Sequence, residues 1–392
     1  MRQLSLITLC RQGTARTLIK KLEVVMKEPT NVLLAYGYSQ EQIDERLALI
    51  WHEIFEGPNK FYFEVDSDSA YIVDTGNGDV RTEGMSYGML LAIQYNRKDV
   101  FDRLWNWTMT NMFMKTGRHA NYFAWSVHPN GIKNSDGPAP DGEEFFALAL
   151  FFARNRWGDG EGIYQYSQHA RNLLSYCIHK GGRYEGLPMW NIENKLIKFV
   201  PEVEFSDPSY HVPHFYEQFA LYANEEDRLF WKEAAQASRA YLKKALHEET
   251  GLNAEYADYQ GHPCEESGHG YFFSDAYRTA LNVAVDSQWY GRDAVLCQRL
   301  EKLQAFFATT AKGNEYTIYT IEGKSVEEPI LHPVGLLATN AAVSAAIMDA
   351  PFARKFVAQF WETPLRTGER RYYDNFLYAF SFLVLSGNYN IY

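Results

Sequence analysis

Long and short connections alternate along this chain, and that alternation leaves few architectures open. Apolar periodicity near 3.6 residues, helix caps and breakers mark about twelve helical segments, at 41–56, 82–94, 99–114, 141–155, 164–178, 208–222, 226–246, 273–287, 294–310, 333–348, 353–361 and 371–386. The connections 57–81, 115–140, 179–207, 247–272 and 311–332 are long, whereas 95–98 and 224–225 are short. Short loops join antiparallel neighbours. The segments therefore pair as hairpins, and every second helix begins on one common face beneath the long loops.

The two sets differ in polarity. Segment 333–348 carries no charge before Asp349, and 145–152 reads Phe-Phe-Ala-Leu-Ala-Leu-Phe-Phe, the patterns of helices buried on most sides. Segment 226–246 is two-faced, with Glu226, Lys232, Glu233, Arg239, Lys243 and Lys244, and so is 41–56 with Glu41, Asp44 and Glu45. Six inner helices ringed by six outer ones make an all-α (α/α)6 barrel whose mouth is lined by the N-termini of the inner set. No Pro/Gly/Ser-rich linker divides the chain, which predicts a single domain over a two-domain all-α arrangement.

Composition narrows the function. The 392 residues carry 38 Lys+Arg against 49 Asp+Glu, a net charge of −11, which repels nucleic acid and anionic membranes. No apolar run approaches the roughly 20 residues of a membrane helix; Phe376 to Leu385 is short and carries Ser381. Cys10, Cys177, Cys264 and Cys297 lie far apart without a CxxC pair, and 1–21 lacks a small-residue cleavage site. Both features predict a cytoplasmic protein. Aromatic residues make up 16% of the chain, and aromatic faces beside carboxylates suit sugar rings.

Three carboxylates fall where inner helices start: Glu83 in Arg81-Thr-Glu-Gly-Met-Ser-Tyr-Gly-Met89, Asp141 in Ala139-Pro-Asp-Gly-Glu-Glu144, and Asp275 in Phe272-Phe-Ser-Asp-Ala-Tyr-Arg278. Each has a purely structural reading. Asp141 with Glu144 is a near capping box, Ser274 is a fitting N-cap, and acidic first turns suit the helix dipole. Gathered at one mouth with Trp125, Trp190, Tyr210, Tyr277 and Tyr373, they read instead as a sugar cleft holding an acid and a base.

These residues resemble glycoside hydrolase family 8, whose signature is Ala-[Ser/Thr]-Asp-[Ala/Gly]-Asp followed by [Ile/Met]-Ala and a later Trp. The chain has Ala139-Pro140-Asp141-Gly142-Glu143, then Phe146-Ala147 and Trp157, departing at Pro140, Glu143 and Phe146. The departures, with 81–88, Phe205-Ser-Asp-Pro-Ser-Tyr-His211 and Leu331-His332-Pro333, are similar to the reducing-end xylose-releasing exo-oligoxylanase branch. The resemblance runs from about Tyr36 to the C-terminus, which implies one glycoside hydrolase domain over 34–392 and an N-terminal extension over 1–33 without a counterpart, with Met26 an alternative start. It implies an inverting hydrolase acting on xylo-oligosaccharides, with Glu83 as general acid, Asp275 as general base, Asp141 beside the distorted sugar and Tyr210 holding the attacking water. Arg81, Trp125, Trp190, Tyr277, Arg278, His332, Tyr373 and Asp374 are the expected substrate-binding residues, and the Leu331-His332-Pro333 turn the wall that closes the cleft after one sugar.

Inversion needs one protonated and one ionised carboxyl across the sugar ring. Arg81 and a helix N-terminus both favour ionised Glu83, so burial, a neighbouring carboxylate or substrate must oppose them. No metal or cofactor is expected: His211, His214 and Glu217 miss the HExxH spacing, and His262, Cys264 and His269 form a similar near-miss in a loop. The stretch 74–79 lacks calcium-loop spacing and reads as a solvated turn. Rival readings are an endo-acting xylanase, cellulase or chitosanase of the same family, a non-catalytic glycan-binding protein, and a sugar epimerase, which would want a His acid/base pair. Oligomeric state is not legible in the sequence.

Overall fold

The computed structural model describes residues 30–310 and 316–392. Its thirteen α-helices among the described residues are α1 (Val32–Tyr36), α2 (Gln40–Trp51), α3 (Thr82–Gln94), α4 (Lys98–Asn111), α5 (Pro140–Trp157), α6 (Tyr166–His179), α7 (Pro213–Tyr222), α8 (Arg228–Ala245), α9 (Ala276–Tyr290), α10 (Ala294–Thr310), α11 (Pro333–Ala342), α12 (Ala353–Glu362) and α13 (Arg371–Leu385). Helices α3, α5, α7, α9, α11 and α13 pack in turn as an inner ring. Tyr87 of α3 closes it against Phe376 and Phe380 of α13, with ring centroids 5.5 and 5.2 Å apart. The other six long helices form the outer ring, and α2, the first of them, packs on α13, the last inner helix. This is the (α/α)6 barrel.

Burial follows the sequence pattern. Every residue of α5 from Pro140 to Ala153 is buried, whereas α8 buries Trp231, Ala234, Ala235, Ser238, Tyr241, Leu242 and Ala245 at helical spacing and turns Lys232, Glu233 and Lys244 to solvent. Such a stripe holds an outer helix against the ring by removing its apolar face from water. The departures from the family signature also serve packing. Pro140 is the first residue of α5, where its missing N–H costs nothing, and Phe146 packs on Trp105 and Phe123.

The structure differs from the sequence reading at several helix ends. Segment 208–222 splits into a 3-10 turn, Pro208–Tyr210, and α7, because Pro213 lacks an N–H and keeps Val212 out of helical geometry. Segment 41–56 ends in one π-helical turn, His52–Glu56, and 333–348 leaves α-geometry after Ala342. Helix α9 begins only at Ala276, since Ser274 has φ of +32°, a left-handed conformation that a helix start cannot use. Unforeseen are α1 and three two-stranded antiparallel sheets: β1 (Tyr62–Glu64) with β2 (Ala70–Ile72), β3 (Val80–Arg81) with β4 (Ser126–Val127), and β5 (Thr317–Tyr319) with β6 (Ser325–Pro329). Of the expected extension 1–33, residues 1–29 with Cys10 and Met26 lie outside the described residues, while Val32 and Leu33 are fully buried in the barrel core. Among the described residues no helix is long and apolar enough to cross a membrane, and Cys177, Cys264 and Cys297 are unpaired.

Candidate active site

Two loops meet to set the first carboxylate. Strands β3 and β4 pair Arg81 with Ser126, and the Thr82 N–H donates to the Trp125 carbonyl at 3.0 Å, which aims α3 so that Glu83 is its second residue. A side chain at Gly142 would put its Cβ 2.4 Å from Thr82, so glycine there lets the N-termini of α3 and α5 approach. Asp275 precedes α9 directly after the strained Ser274, and Tyr373 Oη donates to the Ser274 carbonyl at 3.2 Å. The capping readings are corrected. Helices α3, α5 and α9 have Arg81, Ala139 and Asp275 at their N-cap positions without side-chain caps, and Glu144 instead accepts from Tyr216 Oη at 2.9 Å.

Arg278 gathers the carboxylates. Its Nη1 donates to Glu83 Oε2 at 3.1 Å, to Asp141 Oδ2 at 3.0 Å and to Tyr87 Oη at 3.0 Å, and its Nη2 lies 3.4 Å from Asp275 Oδ1. The guanidinium also stands 5.6 Å from the centre of the Tyr210 ring. One cation cannot neutralise three carboxylates gathered around it, of which Asp141 is buried and Glu83 and Asp275 are partly exposed, so the cluster holds a proton more readily than isolated acids do. Burial pushes Glu83 up to about 7, with Asp275 and Asp141 acting in the same direction against Arg278 and Arg81. Asp141 is also raised by burial, against the pull of Arg278.

The opposing force expected from Arg81 is weak because its charge is engaged elsewhere. Its Nε lies 3.3 Å from Asp74 and 3.0 Å from Asp79, and its guanidinium stacks 5.3 Å from the Trp125 ring centre. The 74–79 stretch is a turn with its tip, Asn77 and Gly78, exposed as expected, but its ends, Asp74 and Asp79, are buried and hold Arg81. Asp74 accepts from Gly76 N at 2.9 Å and Asn77 Nδ2 at 2.7 Å, and Asp79 accepts from Ser126 Oγ at 2.5 Å.

A cleft of roughly 340 Å³ opens over Glu83 and Asp275, with Arg81, Tyr372, Tyr373, Leu331 and His332 among its lining residues. Trp125 is 36% exposed beside Arg81. Other expected sugar contacts lie elsewhere. Trp190 is fully buried, edge-on to Trp231 at 5.0 Å, and Tyr277 packs on Phe272 at 5.1 Å with 1% exposure, so neither face can stack on a sugar. Asp374 is wholly buried and accepts from His332 Nδ1 at 3.0 Å, and Arg278 sits beneath its carboxylates; both position other groups rather than line the cleft.

Sequence reasoning missed three participants. Tyr372 Oη donates to Glu83 Oε1 at 2.9 Å, a contact that Gly84 permits, since a Cβ there would lie 2.6 Å from the Tyr372 ring. The adjacent Tyr373 pointed to this turn of α13 without singling it out. Asp207 begins the turn that carries Tyr210, accepting from Ser209 N at 2.7 Å. Glu255 lies near Asp275, accepts from its backbone N–H at 3.4 Å, meets His269 Nδ1 at 2.8 Å, and is pushed up to about 8 by burial and by Asp275. Nothing in its aperiodic loop marks it. Two of the histidines weighed as metal ligands are structural: His211 bridges Ser206 and Ser238 at 2.9 Å each, and burial pushes it down to about 3, while His214 stands edge-on to Trp289. Among the described residues no three His, Cys, Asp or Glu side chains gather as a metal site.

Comparison with known proteins agrees with this geometry. Residues 59–386 match the family described as Glycosyl hydrolases family 8. The reducing end xylose-releasing exo-oligoxylanase of Bifidobacterium adolescentis is 61% identical over 360 residues, covering 90% of this chain and 94% of that protein. Two crystal structures of a reducing-end-xylose releasing exo-oligoxylanase, one complexed with xylose and the other a mutant complexed with xylobiose, are each 58% identical. Each superposes with a TM-score of 0.91 over 93% of this chain and 97% of the other.

Proposed function

The chain belongs to glycosyl hydrolase family 8, and from that premise we propose that it is an inverting hydrolase that releases xylose from the reducing end of xylo-oligosaccharides. Glu83 donates its proton to the glycosidic oxygen as the C1–O bond breaks. Asp275 takes a proton from the water that attacks C1 from the opposite face, and Tyr210 holds that water. Asp141 contacts the sugar that flattens toward the transition state. The separation required of such a pair is about 6.5 to 9.5 Å, room for one water.

The observation that carries the assignment is the Arg278 cluster, in which one of three carboxylates, Glu83, is held near neutrality by burial and by its acidic neighbours. That is the condition for an acid and a carboxylate base to coexist near pH 7. The wall at Leu331, His332 and Pro333 supports cleavage after a single sugar, because Leu331 and His332 line the cleft and Pro333 stiffens the entry of α11. A single catalytic domain over 34–392 and a cytoplasmic site of action complete the proposal; the three unpaired cysteines and an oligosaccharide-sized substrate support the latter.

Proton NMR of early products from xylotriose tests the mechanism. Inversion at a β-linkage yields the α-anomer of the newly formed xylobiose end before mutarotation, and initial β-anomer would overturn it.

A further inference from the structure

The wall residue His332 is held by a buried device that the catalytic steps do not use. Asp374, wholly buried near the start of α13, receives three donors: the Gly335 N–H at 2.6 Å, the Arg366 guanidinium, and His332 Nδ1 at 3.0 Å. Arg366 also donates to the Leu331 carbonyl, and its own backbone is laced to Asn375, N–H to Oδ1 at 2.8 Å and carbonyl to Nδ2 at 3.0 Å. One arginine and one carboxylate thus fasten both Leu331 and His332 to α13. The His332 ring is further steadied edge-on against Tyr373 at 4.7 Å.

We propose that Asp374 and Arg366 are positioning residues that set selectivity for a free reducing end, by fixing which nitrogen of His332 is left to meet the sugar. The inference rests on the reducing-end reading given above. A carboxylate can only accept, so Nδ1 must carry the proton it shares with Asp374, and in the neutral ring Nε2 is left as an acceptor. An acceptor at the wall takes the O–H of a free anomeric hydroxyl. A glycosidic oxygen in the same place offers no hydrogen and brings a substituent into the wall, and a site built around a buried hydroxyl rejects such analogues strongly. Arg366 holds the wall in register, so the acceptor stays one sugar from the scissile bond.

The test compares kcat/KM for xylotriose with that for methyl β-xylotrioside, which has the same length but no free anomeric hydroxyl. Wild type should prefer xylotriose by about a hundredfold or more. Asp374→Asn keeps its amide oxygen for the Gly335 N–H and turns the N–H₂ toward both His332 and Arg366, which releases the histidine tautomer. Arg366→Gln is the second variant, removing the bridge while leaving the buried carboxylate. The preference should fall at least about tenfold in a variant that remains folded by circular dichroism, mainly through loss on xylotriose. A purely structural role would lower both substrates together; an unchanged ratio in either folded variant overturns the proposal. A wild type that does not discriminate overturns the reducing-end reading itself, and this inference with it.

Discussion

Replacing Glu83 by glutamine should cost activity and add stability above neutral pH, because the same burial produces both effects. Folding raises this carboxyl from an ordinary value of 4.5 to about 7, chiefly by burial. Between those values the folded chain binds more protons than the unfolded chain, so unfolding free energy falls as pH rises. The contribution of protonated Glu83 is fully present below about pH 4.5 and lost as pH passes 7, a swing on the order of 3 kcal/mol. Glutamine keeps the shape without the charge, and Arg278 retains Asp141 and Asp275 as partners. Urea unfolding should therefore find the variant more stable than wild type at pH 8, with the gap closing toward pH 5. Against this stands a rate loss of about 10² to 10⁴ on xylotriose, the usual worth of general acid catalysis. β-Xylobiosyl fluoride, whose leaving group needs no proton, should be hydrolysed by the variant at nearly the wild-type rate. Wild-type kcat/KM on xylotriose should fall about tenfold from pH 6 to pH 8 as Glu83 loses its proton. Xylotriose activity within tenfold of wild type, an equal loss on the fluoride, or no pH-dependent stability gap would each refute the reasoning.

Asp275→Asn should lose about 10² to 10⁴ in rate on xylotriose and on the fluoride alike, since both need an activated water; Asp141→Asn should also be severe, with an unchanged melting temperature separating catalysis from folding. Trp125→Ala should raise KM for xylotriose with little change in stability, whereas Trp190→Ala should destabilise by about 3 to 5 kcal/mol in denaturant titration and leave KM of the folded enzyme alone. Gly84→Ala would set a Cβ 2.6 Å from the Tyr372 ring, so a stability loss of about 1 to 3 kcal/mol should accompany lowered activity as Tyr372 leaves Glu83.

The barrel was legible because its constraint is one-dimensional: alternating loop lengths force hairpins, and hairpins force the inner N-termini to one mouth. Glu83 and Asp275 were legible for the same reason, although the first turns that held them also looked like ordinary caps. What was not legible is which aromatic faces point outward. Trp190 and Trp125 sit in similar loop contexts, yet one is walled in by Trp231 and Tyr216 and the other stacks on Arg81. The state of Glu83 was equally hidden. Arg81 is its near neighbour in sequence, but Asp74 and Asp79 engage that charge, and the cation that reaches the carboxylate is Arg278, 195 residues away. Glu255 and Arg366 lie in segments whose irregular backbone has no period to read, so only folding brings them to Asp275 and Asp374.

The direction of cleavage is the claim on which the substrate, the wall and the role of His332 all depend. Xylotriose labelled with ¹⁸O at its reducing-end anomeric oxygen, digested briefly and read by mass spectrometry, tests it most directly. Release from the reducing end places the label in xylose and leaves xylobiose unlabelled. Label appearing in xylobiose would show that the opposite end is trimmed and would contradict the account.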